Sequence, residues 1–140
     1  MVVIVLIAVG TGLMTLALRD SADRHLEEEG VRLAALLESA RAQSRIAGTD
    51  VTWAPSAGIE PGFRFAGLAD GATQALPHRW LDDGTTAEIV GAARIVHGPE
   101  PLLPPQRIVL HLGERQVALG TDGLGPFAIL PPADAGAAPR

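Results

Sequence analysis

Few residues in this chain have the types and spacing that chemistry requires, and none of them belongs to a complete set. The four histidines, His25, His78, His97 and His111, are widely separated, and none has a second ligand at a recognised metal-binding interval. In HLEEEG, His25 and Glu29 stand four apart, a spacing that places two ligands on one helix face, but the run reads more simply as a solvated acidic face. His111 alternates with apolar residues along a β-prone run and reads as a surface or edge residue. Asp82, Asp83 and Gly84 resemble part of a calcium loop, yet LDDGTTAEI lacks the alternating ligands and the closing acid, so a turn before a strand is expected. Ser39, Ser44 and Ser56 sit in no Gly-x-Ser-x-Gly elbow, and Gly10 and Gly12 lead to no phosphate-binding lysine. Cysteine is absent, which removes disulfides, thiolate metal sites and a thiol nucleophile. The chain is therefore expected to be no enzyme, to carry no cofactor or metal and to take no small-molecule substrate.

Charge points the same way for nucleic acids. All 11 basic residues are arginine, against 16 acidic ones, for a net charge of −5. From Thr49 to Arg140 there are ten acidic residues and six arginines. Phosphate neutralisation supplies most of the affinity of nucleic-acid binders, which accordingly show a basic face; none is expected here.

With no active constellation to position, the elements themselves carry the reading. MVVIVLIAVGTGLMTLAL, residues 1–18, holds no charge, and the first charged residue is Arg19. A secretory signal would need a basic segment before its apolar core and a small-residue cleavage site after it, and this run has neither. About 17 to 25 apolar residues cross the hydrocarbon of a bilayer, so residues 1–18 are expected to be a membrane-embedded half helix. No proline interrupts Val2 to Ile46, and the continuation SADRHLEEEGVRLAALLESARAQSRI is rich in Ala, Leu, Glu and Arg. Ala22, Leu26, Gly30, Leu33, Leu37, Ala40 and Ser44 recur at steps of three and four, drawing one apolar stripe. Asp20 with Arg24 and Glu28 with Arg32 stand four apart with the acid first, the favourable order for helix ion pairs. Gly48 is placed to stop the helix. One helix of about 68 Å is expected at 1.5 Å per residue, apolar all round over 1–18 and amphipathic over 19–48.

Beyond Gly48 the pattern changes to short β-prone runs punctuated by Gly and Pro. The expected strands are Val51 to Ala54, Gly62 to Gly67, a run within Ala87 to His97, Arg107 to Gly113, Arg115 to Gly120, and Phe127 to Leu130. LGER at Leu112 to Arg115 reads as a tight hairpin turn, and TDGLGP holds two strong turn dipeptides. Ile108, Leu110 and Leu112 share one face of their strand, opposite Val109 and His111. Trp53, Trp80, Phe63, Phe65 and Phe127 are expected to pack in the core or between domain and helix. The expected class is α+β: a long N-terminal helix packed on a small antiparallel sheet domain over 49–130, followed by a disordered tail over 131–140.

Two stretches resemble a known family. RLAALL with Ala40, Arg41, Gly48 and Val51 in one register, and VALGTDGLGPFAIL with its Thr121, Asp122, Gly123 and Phe127, are similar to the amino-terminal and late-hairpin regions of type IV pilin-like proteins. The closer resemblance is to the minor pseudopilin H of type II secretion, the general secretion pathway protein H family. It spans both ends of the chain and leaves the middle divergent. The resemblance implies a lollipop fold and a structural role at or near the tip of a periplasmic pseudopilus that helps expel folded proteins across the outer membrane. Implied partners are the other minor pseudopilins, the major pseudopilin and the inner membrane, which the helix would cross once with the β domain in the periplasm. Val2, Ile4, Leu6, Ile7, Leu13, Leu16 and Leu18 are the expected membrane and filament-packing residues; Leu26, Leu33, Leu37 and Ala40 are expected to hold the domain to the helix. Thr121, Asp122, Gly123 and Phe127 form the hairpin motif.

Family precursors also carry a basic leader ending in Gly and a Glu at the fifth mature position, none of which is in this sequence; both are expected just upstream of Met1. The alternative is a minor pilin of a type IV pilus, including one that binds DNA in competence. A DNA-binding tail should be basic, whereas the tail here has one Arg, Arg140, and one Asp, Asp134.

Overall fold

The computed structural model describes residues 2–56, 59 and 61–131, with side chains described from residue 21 onward. Helix α1 runs unbroken from Val2 to Ala47, about 69 Å at 1.5 Å per residue. It ends where Gly48 adopts a positive φ of 68°, and Gly48 and Thr49 both donate their N–H groups to the Ser44 carbonyl. The apolar run over 1–18, with Val2, Ile4, Leu6, Ile7, Leu13, Leu16 and Leu18, lies outside the residues whose side chains are described. Among the described residues no helix is long and apolar enough to cross a membrane. The tail from residue 132 onward likewise lies outside the described residues.

Strands β1 (Val51–Pro55), β2 (Phe63–Ala66) and β4 (Ile95–His97) form one antiparallel sheet in the order β2-β1-β4. Strands β3 (Thr85–Ile89), β5 (Gln106–Leu112), β6 (Arg115–Thr121) and β7 (Ala128–Ile129) form a second, in the order β3-β5-β6-β7, also antiparallel throughout. A one-turn helix α2 (Ala72–Ala75) lies between β2 and β3. The β5–β6 hairpin closes at Leu112 opposite Arg115, with Gly113 at φ 60°.

The antiparallel sheet domain expected from sequence is thus built of two sheets. The stretch from Ala87 to His97 is not a single run: the chain turns at Gly91, at φ 76°, so that β3 joins β5 while β4 crosses to β1. The two sheets are tied where the Gln106 side chain meets the Val96 backbone, its Oε1 accepting the Val96 N–H at 3.0 Å and its Nε2 donating to the Val96 carbonyl at 3.2 Å. The amide thus stands in for a neighbouring peptide on the outer edge of β4.

The core lies where α1 meets both sheets. Leu26, Leu33, Leu37 and Ala40 are buried there with Val51, Ile95, Ile108, Leu110 and Leu119. Full burial of each aliphatic side chain of Val, Leu or Ile size is worth about 1.5 to 3 kcal/mol. Beside them Trp53, Phe63 and Trp80 make an aromatic cluster, with ring centroids 5.9 Å apart for Trp53 and Phe63 and 4.6 Å for Phe63 and Trp80. Gly30 brings helix and sheet close: a Cβ there would stand 3.3 Å from the Ile129 Cδ1 and 3.5 Å from a Val117 methyl.

Candidate functional site

The polar residues that the fold brings together are the ones that fasten α1 to its domain. They form two clamps of one design. In the first, Glu29 is 1% exposed and accepts the Leu81 N–H at 2.6 Å, while Arg32 pairs with Glu29 at 2.7 Å and donates both guanidinium ends to the Arg79 carbonyl at 3.2 Å. In the second, Glu38 accepts the Phe127 N–H at 3.1 Å, and Arg41 donates to the Gly125 carbonyl at 3.0 Å and to the Gly123 carbonyl at 3.2 Å. The Glu38 carboxylate and Arg41 guanidinium are 3.9 Å apart. In each, a carboxylate takes a main-chain N–H, an arginine three residues on donates to main-chain carbonyl oxygen, one carbonyl in the first clamp and two in the second, and a loop is stitched to the helix by charge-assisted hydrogen bonds.

These contacts revise two expectations from sequence. The acidic run is not wholly solvated, because Glu29 turns inward on the edge of the apolar stripe; His25, Glu27 and Glu28 remain exposed. Arg32 therefore pairs with Glu29 and not with Glu28. Of the other expected pair, the Asp20 side chain lies outside the described residues. The detectable signal was Glu-x-x-Arg, present as EGVR and again as ESAR nine residues later. What it fastens to could not be read locally, since the partners are main-chain groups 47 to 89 residues away.

The second clamp lands on the hairpin motif. Thr121 Oγ1 accepts the Gly123 N–H at 3.0 Å and donates to the Gly125 carbonyl at 2.8 Å, and Asp122 Oδ1 accepts the Leu124 and Gly125 N–H groups at 2.9 and 2.8 Å. The Gly125 and Leu124 amides hold the Asp122 carboxyl below its ordinary range. Gly123 has φ 93°, and a Cβ on it would overlap the Leu103 carbonyl oxygen, so only glycine fits. Phe127 is buried, and its N–H goes to Glu38, which leaves only Ala128–Ile129 as strand where Phe127 to Leu130 was expected.

His97 sits against this clamp. It is fully buried on β4, lies edge-on to Phe127 with ring centroids 5.9 Å apart, and neither ring nitrogen has a hydrogen-bond partner among the described residues. Burial first, and then the Arg41 charge, lower its pKa from 6.5 to about 4. The folded imidazole is thus neutral where an unfolded one is protonated, and stability falls as pH drops from 6.5 through about 4. At about 1.36 kcal/mol per pH unit the loss between pH 7 and pH 4.5 is about 2 to 3 kcal/mol. In urea unfolding at those two pH values, His97→Leu should remove most of this loss; an equal loss in both proteins would contradict it.

Other residues singled out from sequence remain apart. His111 Nε2 is 3.7 Å from the exposed Glu88 carboxylate across the β3–β5 ladder, and Asp82 Oδ1 accepts the Gly84 N–H in the turn before β3. Among the described residues no group of three or more His, Asp or Glu is placed to hold a metal ion.

No known family model matches the chain, and no curated protein matches it in sequence. Among solved structures it is similar to the type IV minor pilin FimU of Pseudomonas aeruginosa (strain PAO1), at 16% identity and a TM-score of 0.57, over 86% of this chain and 96% of that one. At that identity the likeness concerns the fold: this chain has a pilin-like α+β fold.

Proposed function

We propose that the chain is a structural filament subunit, a minor pseudopilin of a type II secretion pseudopilus that sits at or near the tip. The observation that carries this reading is the build of α1. One helix, Val2–Ala47, continues from an uncharged run into a half that is clamped to a β domain by Glu29, Arg32, Glu38 and Arg41. A helix that is apolar all round over its first part suits lipid before assembly and packing against other subunits afterwards. On this reading the partners are the other minor pseudopilins and the major pseudopilin. The chain crosses the inner membrane once, and its β domain lies in the periplasm. Its work is mechanical and involves no catalysis.

A minor pilin of a type IV pilus is the second reading, favoured by the likeness to FimU. Deletion of the gene in its host separates the two. Loss of a folded exoprotein from the culture medium with pili intact supports the pseudopilus; loss of pili with export intact supports the pilus; and a strain unchanged in both would overturn the filament reading.

A further inference from the structure

Three bonds in the chain join an aspartate to a glycine: Asp70 to Gly71, Asp83 to Gly84, and Asp122 to Gly123. At such a bond the glycine nitrogen can attack the aspartate Cγ, because glycine has no Cβ to obstruct the approach. The attack forms an N–Cγ bond and expels the side-chain hydroxyl with the amide proton as water, leaving a five-membered succinimide. Water then opens the ring at either carbonyl. Opening at the main-chain carbonyl carbon leaves the chain running through Cγ, which is an isoaspartate. One water leaves and one returns, so solvent alone suffices. The step requires a free aspartate side chain and a glycine N–H that no acceptor holds.

The fold treats the three bonds differently. At Asp122 both groups are held: its Oδ1 accepts the Leu124 and Gly125 N–H groups, and the Gly123 N–H is donated to Thr121 Oγ1 at 3.0 Å. The same amides favour the ionised Asp122 carboxyl, whereas the departing hydroxyl belongs to the protonated form. At Asp83 the side chain is exposed, but the Gly84 N–H is donated to Asp82 Oδ1 at 2.8 Å. Asp70 is exposed, and neither its side chain nor the Gly71 N–H has a hydrogen-bond partner among the described residues. Gly71, at φ 90°, has open space where a Cβ would stand. We propose that Asp70 is a site of spontaneous isomerisation to isoaspartate, and that the fold holds Asp83 and Asp122 back. The loop that carries Asp70 is pinned at both ends. A Cβ on Gly67 would overlap the Asp50 carbonyl oxygen, and the Phe63 N–H is donated to the His78 carbonyl at 2.9 Å. The added main-chain methylene therefore stays local, and the domain remains folded around it. The inference does not depend on the filament reading.

Trypsin separates the three sites, because the chain has arginine and no lysine: Asp70 falls in the peptide 65–79, Asp83 in 80–94 and Asp122 in 116–140. The full chain in neutral detergent is held at neutral pH and 37 °C for several weeks and then digested. Chromatography resolves each aspartyl peptide from its isoaspartyl isomer of equal mass. The isomer of 65–79 should grow at least ten times faster than those of 80–94 and 116–140, and an L-isoaspartyl carboxyl methyltransferase should label it. In denaturant, where the fold no longer distinguishes the sites, the three rates should fall within about threefold of one another. Asp82→Ala frees the Gly84 N–H and should raise the Asp83 rate about fivefold with Trp fluorescence unchanged. Asp70→Glu, whose ring would have six members, should abolish the change in 65–79. Equal growth on the three peptides of the folded chain, or faster growth at Asp83 or Asp122 than at Asp70, would overturn the proposal. So would a natively folded Asp82→Ala chain with an unchanged Asp83 rate, or a tenfold preference for Asp70 that persists in denaturant, since its cause would then lie in local sequence and not in the fold.

Discussion

Replacing Leu37 with aspartate should unfold the domain or bring it to the verge of unfolding. Leu37 is wholly buried in the middle of the α1 stripe, where both sheets converge on the helix. The substitution forfeits the transfer energy of a leucine and leaves a carboxyl group with no polar partner in an apolar site. The two effects together cost about 4 to 6 kcal/mol, against total stabilities of about 5 to 15 kcal/mol for domains in general. Val31, on the same helix but 62% exposed, is the matched control: Val31→Asp should change stability by about 0.5 kcal/mol or less. Trp53 and Trp80, both buried, report the transition by fluorescence in denaturant. Leu33→Asp should behave like Leu37→Asp, since it occupies the same stripe one turn away. Equal midpoints for Leu37→Asp and Val31→Asp would show that the stripe does not hold the domain.

The second large effect is expected at Arg41. Its guanidinium spans the Gly123 and Gly125 carbonyls and is 5% exposed. Arg41→Ala removes the charged donor from both carbonyls, leaving Gly125 with the Thr121 hydroxyl and Gly123 with the Leu103 N–H at 3.4 Å, and takes away the cation beside Glu38, at a cost of about 1.5 to 3 kcal/mol. Arg41→Lys should recover little, because a single ammonium cannot reproduce the two-pronged fork. The loss should be local before it is global: amide exchange from Gly123 to Phe127 should accelerate about tenfold or more while that of β1 and β5 changes least. Arg41 is also the second cause of the lowered pKa of His97, so the same variant should move that imidazole part of the way back toward 6.5. Burial, the larger cause, keeps it from going the whole way. Unchanged exchange in the Gly123–Phe127 loop would mean that the clamp is incidental.

These two residues mark what could and could not be read from sequence. Leu37 was legible because a helix repeats every 3.6 residues, and the steps Leu26, Leu33, Leu37, Ala40 leave one face to bury. The β5–β6 hairpin was legible because LGER sits between two alternating runs. Arg41 was visible as a helix residue, but its partners were not, since main-chain carbonyls 82 and 84 residues away carry no sequence signature. Glu29 was misread for the same reason: nothing in HLEEEG distinguishes the one glutamate whose carboxylate meets the Leu81 N–H from its two solvated neighbours. The division into two sheets rests on a turn at Gly91 and on the Gln106 amide binding Val96, and both are choices of long-range pairing that local alternation leaves open. The unpartnered imidazole of His97 is likewise a product of packing and not of any motif.

On the proposed function, α1 would join this chain to a filament through its apolar half while the clamped half carries the domain. Because the sequence has no cysteine, any introduced thiol is the only one in the chain. The most direct measurement is therefore disulfide cross-linking in cells with Thr11→Cys, within the apolar run, and with Glu114→Cys, in the β5–β6 turn as a control. A second cysteine is placed at a matching helix position of the major subunit. The account predicts a cross-linked species from Thr11→Cys that requires the assembly machinery, and none from Glu114→Cys. No cross-link from Thr11→Cys, or one formed equally well without the machinery, would contradict it.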